Sequence, residues 1–184
     1  MRKHALVLGL LAAVALPAAA DGFYIYGDLG QSKFSGDTDE TDTAAALGLG
    51  YKLNNNFSLE LGYHDLGGID ISETMYYPGV GNVDVDGSVD ASAVQVSALA
   101  KLPLNDSFDL FARLGYGRIK LDATATASAQ GVTGTESDSA SENKPVYGVG
   151  AGYKLNEKVG LRAEYIKFGD TDISSFTLGV SYAF

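Results

Sequence analysis

A chain of 184 residues with 13 basic and 23 acidic side chains carries a formal charge of −10 and contains no cysteine. The length suits one domain, and the acidic balance argues against nucleic-acid binding, which needs a basic face. The lack of cysteine excludes disulfides, a lipoprotein anchor, a cysteine nucleophile and a thiolate metal site.

At the N-terminus, Arg2, Lys3 and His4 precede an apolar run from Ala5 to Leu16, which Pro17 breaks before Ala18-Ala19-Ala20. A charged region, a hydrophobic region and a small-residue cleavage site read as a secretory leader over residues 1–20. The run is too short to span a bilayer as a helix, which takes about 20 residues. The mature chain, 21–184, then carries a formal charge of −12. It holds no further apolar stretch of helical membrane length, so any membrane reading must be a β-barrel.

Period-two alternation marks eight segments: Phe23–Phe34, Thr43–Leu53, Phe57–Leu66, Asp90–Leu102, Phe108–Leu121, Pro145–Leu155, Val159–Phe168 and Ser175–Phe184. In the second, Leu47, Leu49, Tyr51 and Leu53 share one face; in the fifth, Phe108, Leu110, Ala112, Leu114 and Tyr116 do. The last is the clearest, with Phe176, Leu178, Val180, Tyr182 and Phe184 on one side and Thr177, Gly179, Ser181 and Ala183 on the other. Such a strand is a hazard in a soluble protein and is natural in a closed barrel whose outer face touches lipid.

Three connections are tight and led by asparagine: Asn54-Asn55-Asn56, Asn105-Asp106-Ser107 and Asn156-Glu157-Lys158. The other four, about 35–42, 67–89, 122–144 and 169–174, are expected to be looser. Short periplasmic turns alternating with longer outside loops are the habit of outer-membrane barrels, and an even strand count returns both ends to the short-turn side. Gly48-Leu49-Gly50-Tyr51-Lys52-Leu53-Asn54 recurs as Gly150-Ala151-Gly152-Tyr153-Lys154-Leu155-Asn156, with Ala100-Lys101-Leu102-Pro103-Leu104-Asn105 as a weaker copy. Each copy is a strand descending into a turn, not a solenoid repeat. Outward aromatics form two bands: Tyr51, Phe57, Phe108, Tyr153, Tyr182 and Phe184 near the short turns, and Tyr63, Tyr116, Tyr147, Tyr165 and Phe176 near the other rim. A secreted β-sandwich would also alternate, but the second face here is too poor in bulk and charge for solvent. The expected fold class is all-β, an eight-stranded antiparallel up-and-down transmembrane β-barrel.

With its leader, eight strands, Gly-Tyr-Lys-Leu turns and terminal Tyr182-Ala183-Phe184, the chain resembles the small outer-membrane β-barrels: the transmembrane domain of the outer-membrane protein A-like and opacity-porin-like superfamily. The resemblance covers the whole mature chain. It implies an integral place in the bacterial outer membrane, contact with lipid and lipopolysaccharide, and Tyr182 and Phe184 as the signal read by the barrel-assembly machinery. Many members continue into a periplasmic peptidoglycan-binding domain; this sequence stops at the barrel, so no cell-wall tether is expected.

The inward register collects Glu60, Arg113, Arg162 and Glu164 at mid-barrel, with Asp28 and Asp109 as further members and Lys52, Lys101 and Lys154 near the periplasmic mouth. Buried charges must pair, so the four are expected to form an interior network. Family members of this shape carry interior salt bridges that plug or gate the lumen, and at eight strands a filled lumen is the default.

His64, followed by Asp65, is the only histidine of the mature chain. Lipid A deacylases use a Ser/His/Glu set and omptin-type proteases pair His with Asp. His64 has no evident serine partner and an omptin needs ten strands, so no catalytic residue and no cofactor is assigned. The loops are acidic, with Asp37, Asp39, Glu40 and Asp42 in the first. Asn82, Asp84, Asp86 and Gly87 resemble the opening of a calcium loop, but Ala93 stands where the twelfth-position glutamate belongs. Asp86-Gly87 between alternating valines also reads as a hairpin turn. The run 123–130 alternates small and polar residues, either as a ribbon above the membrane or as a mobile loop. The leading expectation is a non-enzymatic barrel with a structural, surface-interaction or adhesion role, its loops meeting a host or surface ligand. The alternatives are a narrow channel or conduit for small hydrophobic molecules and, third, a lipid-modifying enzyme.

Overall fold

The computed structural model describes residues 22–35, 40–79, 81–129 and 132–184. The expected leader, Asp37 and Asp39 lie outside the described residues. Eight strands, β1 (Phe23–Phe34), β2 (Glu40–Lys52), β3 (Phe57–Tyr77), β4 (Gly81–Pro103), β5 (Phe108–Ala129), β6 (Val132–Lys154), β7 (Val159–Phe168) and β8 (Ile173–Ala183), follow one another round a closed antiparallel barrel. β8 closes on β1 through pairs from Tyr24↔Ala183 to Phe34↔Ile173. Closure leaves no unpaired edge at membrane depth, which hydrocarbon requires.

The three short turns share one mechanism. Asn54 Oδ1 accepts the backbone N–H groups of Asn56 and Phe57, both at 2.9 Å. Asn105 does the same for Ser107 and Phe108 at 3.0 and 2.8 Å, and Asn156 for Lys158 and Val159 at 2.9 and 2.8 Å. Each asparagine side chain takes the place of a backbone carbonyl in the turn.

The outward face is apolar through the middle. Leu61 is 50% exposed, Val96 59% and Leu114 68%. A water-facing sheet could not carry these; a lipid-facing one must. Tyr165 lies opposite Phe176 at the upper rim and Phe108 opposite Tyr153 at the lower, where the Phe23 and Tyr51 rings also meet at 4.7 Å. These are the two girdles expected from the sequence.

The glycines of the repeated segment make room for interior rings. A Cβ at Gly50 would enter the Tyr24 ring and one at Gly48 the Tyr26 ring. At Gly150 a Cβ would meet Phe111 and at Gly152 the Asp109 carboxylate. The repeat is therefore a packing device: one strand gives up side chains where its neighbour projects a large one inward.

The structure corrects the loops expected at 67–89 and 122–144. Strands β3 to β6 continue far beyond the barrel, with β3 and β4 paired up to Tyr77↔Gly81, β4 and β5 up to Asp84↔Ser128, and β5 and β6 up to Ala129↔Val132. They form a four-stranded sheet standing on one side of the rim. The hairpin turn expected at Asp86-Gly87 is not there: Gly87 sits mid-strand opposite Ile71 and Ala125, and the reversal comes between Tyr77 and Gly81. Of the two readings of 123–130 the ribbon is the one found, while over 67–89 the acidic composition hid a true period-two pattern.

A bulge sets the faces of this sheet. Asp65 pairs with Ser92 and Gly68 with Asp90, so Leu66 and Gly67 stand opposite Ala91 alone. The extra residue reverses the parity of β3. Below it, odd residues such as Leu61 and Tyr63 face lipid; above it, Ile69 and Met75 share the lumen-side face with Val89 and Val83. Gly67 takes the positive φ (72°) and the Asp42 carboxylate accepts the Gly68 N–H at 2.8 Å. The opposite face is hydroxyl and carboxylate: Ser72 donates to Asp86 and Thr74 to Asp84, each at 2.7 Å, and Thr126 lies 3.1 Å from Thr135.

Candidate functional site: the barrel interior

The lumen is filled in layers. At the periplasmic mouth, Lys101 is half-buried with its ammonium 5.4 Å from the centre of the Tyr24 ring, and exposed Lys52 lies at 5.9 Å from the same ring. Lys154 and Asp109 line the same opening, a cavity of about 120 Å³ that reaches up to Glu60 and Arg162. Asp109 stays at this level and does not join the central network.

Above the mouth, four strands converge their charges. Arg113 from β5 donates through Nε to Glu164 Oε1 at 2.5 Å and through Nη2 to Glu60 Oε2 at 2.5 Å. Arg162 from β7 donates through Nη1 to Glu60 Oε1 at 3.0 Å and also pairs with Glu164. Asp28 from β1 lies 3.5 Å from Arg162 Nε. Tyr24 donates its hydroxyl to Glu60 Oε1 at 2.6 Å. The Arg162 guanidinium lies over the Tyr26 ring, 4.4 Å from its centre. Glu60, Glu164 and Arg113 are each at most 3% exposed. The structure thus brings together the four residues singled out from the sequence, with Asp28 as a fifth. Alternate guanidinium and carboxylate groups pair at a depth where an unpaired charge costs several kcal/mol, while Arg113 Nη1, Arg162 Nε and Asp28 Oδ1 take no hydrogen bond among the described residues.

His64 faces the lumen one layer higher, 3% exposed, edge-on to the Phe168 ring at 5.7 Å. Its Nε2 has no hydrogen-bond partner among the described residues. Tyr26, His64 and Gln95 converge over Gly62, where a Cβ would meet all three. Asp65 alternates away from His64 and accepts the Gly67 N–H at 3.1 Å. Neighbouring strands place Ala46 and Ala93 beside His64, so no serine or carboxylate stands in register with it.

Sequence reasoning missed the outermost layer. Leu66, Ile119, Val146, Ile166, Phe168 and Ile173 form a buried apolar cluster with Phe34 packed against it. Inward parity on β5 and β7 is the signal that places Ile119, Ile166 and Phe168 in the lumen. Asn82, Asp84 and Asp86 lie along one face of a straight strand, and Asp84 and Asp86 already accept β3 hydroxyls. An extended strand spaces alternate side chains about 7 Å apart rather than wrapping them round an ion.

A family model for the outer membrane protein beta-barrel domain matches residues 4–184. Outer membrane protein A of Klebsiella aerogenes is 29% identical over 211 residues, covering 100% of this chain and 56% of that protein. Its counterpart in Klebsiella pneumoniae is 31% identical over 151 residues, covering 77% and 40%. The chain thus spans about half the length of the curated relatives it matches. Among solved structures, Ail, the attachment invasion locus protein of Yersinia pestis, aligns with a TM-score of 0.56 at 21% identity, covering 89% of this chain and 99% of that one. Neisserial surface protein A aligns at 0.54 and 16% identity, covering 89% and 97%. With its closed eight-stranded ring, lipid-facing belt and whole-length match, the chain belongs to the outer membrane protein beta-barrel family and is an integral protein of the bacterial outer membrane.

Proposed function

We propose that this barrel does no chemistry and conducts nothing: it is a plugged membrane anchor that presents an outside sheet to surface partners. The carrying observation is the four-stranded sheet built by β3 to β6, which rises above a rim that the other strands leave low. Three layers support a closed lumen: the lysine mouth, the Arg113/Arg162 network and the apolar cluster round Phe168. At eight strands such filling leaves no aqueous path. Among the described residues no acid or nucleophile is in register with His64 or hydrogen-bonded to its Nε2, which supports a non-enzymatic reading.

A structure of Ail holds a heparin analogue, sucrose octasulfate. Here Asp70, Glu73, Asp84, Asp86, Glu136, Asp138 and Glu142 crowd the outside sheet, a field that repels a polysulfated ligand. The acidic sheet also sits beside anionic lipopolysaccharide, where divalent cations relieve the repulsion. Tyr182 on the last strand and Phe184 just past its end, whose rings meet edge-on at 5.5 Å, are our candidates for the assembly signal.

The test is to replace residues 69–89 and 123–143 with tight turns and display the trimmed and full barrels on cells. The trimmed barrel is expected to insert and shift its mobility on heating, while attachment of the cells to protein-coated surfaces falls to background. Attachment unchanged by trimming would overturn the surface role.

A further inference from the structure

Beyond the barrel, β6 residues 132–145 have β5 on one side and, among the described residues, no strand on the other, since pairing with β7 begins at Val146↔Phe168. That is an open sheet edge roughly 40 Å long at about 3.3 Å per residue. Residues 132–143 are exposed throughout. Natural edges are blunted by proline, by charged side chains and lysine above all, by bulges or by shortness. Here Pro145 and Lys144 stand only at the base, where Lys144 is held by Glu142 at 3.0 Å and Asp170 at 3.2 Å. The pairing with β5 is continuous from Ala129↔Val132 to Phe108↔Tyr153 without a register shift.

The edge is not neutral. Glu136, Asp138 and Glu142 alternate onto one face, opposite Ala125, Ala123 and Ile119 of β5. Thr133, Thr135, Ser137, Ser139 and Ser141 take the other. A second copy of the chain would bring the same carboxylates edge to edge, and like charges directly opposite destabilise a strand pair. The carboxylates that exclude a second copy favour an added strand with lysine or arginine at every other position.

We propose that the free edge of β6 accepts an extended cationic peptide segment as a fifth strand of the outside sheet. Backbone hydrogen bonds supply the register, and the alternate carboxylates select the basic partner. This deepens the surface role proposed above and rests on it. Among the described residues, the β3 segment Gly68–Tyr77 lies beside β4 and beyond the reach of the β2 pairing, which ends at Ala45↔Asp65. It is shorter and bears two carboxylates, Asp70 and Glu73, on opposite faces, so it serves as the internal control.

The experiment uses the full barrel refolded in lipid nanodiscs and a fluorescent dodecamer of alternating lysine and threonine, read by anisotropy at low salt. Saturable binding is expected, with amide-exchange protection appearing over Thr133–Ser141. Methylating alternate backbone nitrogens of the peptide keeps its charge and removes its edge donors; affinity is expected to fall about tenfold or more. Glu136→Lys with Asp138→Lys is expected to weaken binding by about tenfold, and Asp70→Lys on β3 by less than about twofold. No binding, equal binding of the methylated peptide, or equal loss from Asp70→Lys would overturn the proposal. If the peptide fails while trimming the ribbons still abolishes attachment, the edge assignment falls and the surface role stands. If trimming changes nothing, the surface role falls whatever the peptide does.

Discussion

Arg113 reaches Glu60 across the lumen, Nη2 to Oε2 at 2.5 Å, from a strand two places away in the ring. The same guanidinium holds Glu164 from β7, so one side chain ties three strands together. Removing it leaves two carboxylates facing one another with only Arg162 between them. Arg113→Ala is expected to destabilise the barrel by about 3–5 kcal/mol, the range for breaking a buried pair on one side. Urea unfolding followed by heat-modifiability gels measures this; a loss below about 1 kcal/mol would mean that water already shares the network.

The glycine and tyrosine of neighbouring strands are coupled by space. At Gly50 the atoms nearest an added Cβ all belong to the Tyr24 ring. Gly50→Ala alone is expected to cost about 1–3 kcal/mol through overpacking. Combined with Tyr24→Ala, the added methyl costs much less, giving a coupling of about 1 kcal/mol or more in a double-mutant cycle. Additive losses would show that the ring does not set the need for glycine.

Much of this was legible from residue types. Alternation gave the strand count, and the leading asparagines gave the turns because their side chains close the turn hydrogen bonds locally. Glu60, Arg113, Arg162 and Glu164 were readable because charges on the small-residue face of a lipid-ringed strand have nowhere else to pair. The outside sheet was legible only in part: the alternation over 123–130 allowed a ribbon, while 67–89 and the β6 arm read as loop. Its Thr/Ala and Val/Asp alternation looks like loop composition, and the strand pairing there depends on neighbours far along the chain. The bulge at Leu66-Gly67 was invisible as well: a single inserted residue reverses parity, so Ile69 and Ile71 counted from the barrel register point to the wrong face. The Phe168 cluster left no mark in the sequence beyond parity, because apolar inward residues carry no chemical signature.

Gly67 is expected to be sensitive for conformational reasons. At φ 72° a β-branched side chain is strained, and its Cβ would also strike the Asp42 carboxylate. Gly67→Val is expected to lower amide-exchange protection across 69–77 while leaving the barrel below intact. Deleting Gly67 removes the extra residue of the bulge and keeps Gly68 opposite Asp90, so the ribbon is expected to retain its faces. Equal damage from both variants would contradict this account of the bulge.

Outside the membrane, Lys144 links the base of β6 to the last loop. Its hydrogen bond to Asp170 holds that carboxyl below the usual aspartate range, and Glu142 and Asp170 together push the ammonium above the usual lysine range. With the folded aspartate value depressed, the link is complete above the ordinary carboxylate range and is lost as pH falls through the depressed value. The raised lysine value means the link is also lost on the alkaline side, as pH rises through it. Carboxyl titration by NMR should show Asp170 returning toward its ordinary range in Lys144→Ala; an unchanged curve would remove Lys144 as the cause.

The proposed outward-facing role requires a closed lumen. Single-channel recording of the folded barrel in planar bilayers tests it most directly, with heat-modifiability as proof of folding. A closed lumen gives a flat baseline from demonstrably folded protein. Reproducible conductance steps that change with Arg113→Ala or Arg162→Ala would contradict it and make the network a gate.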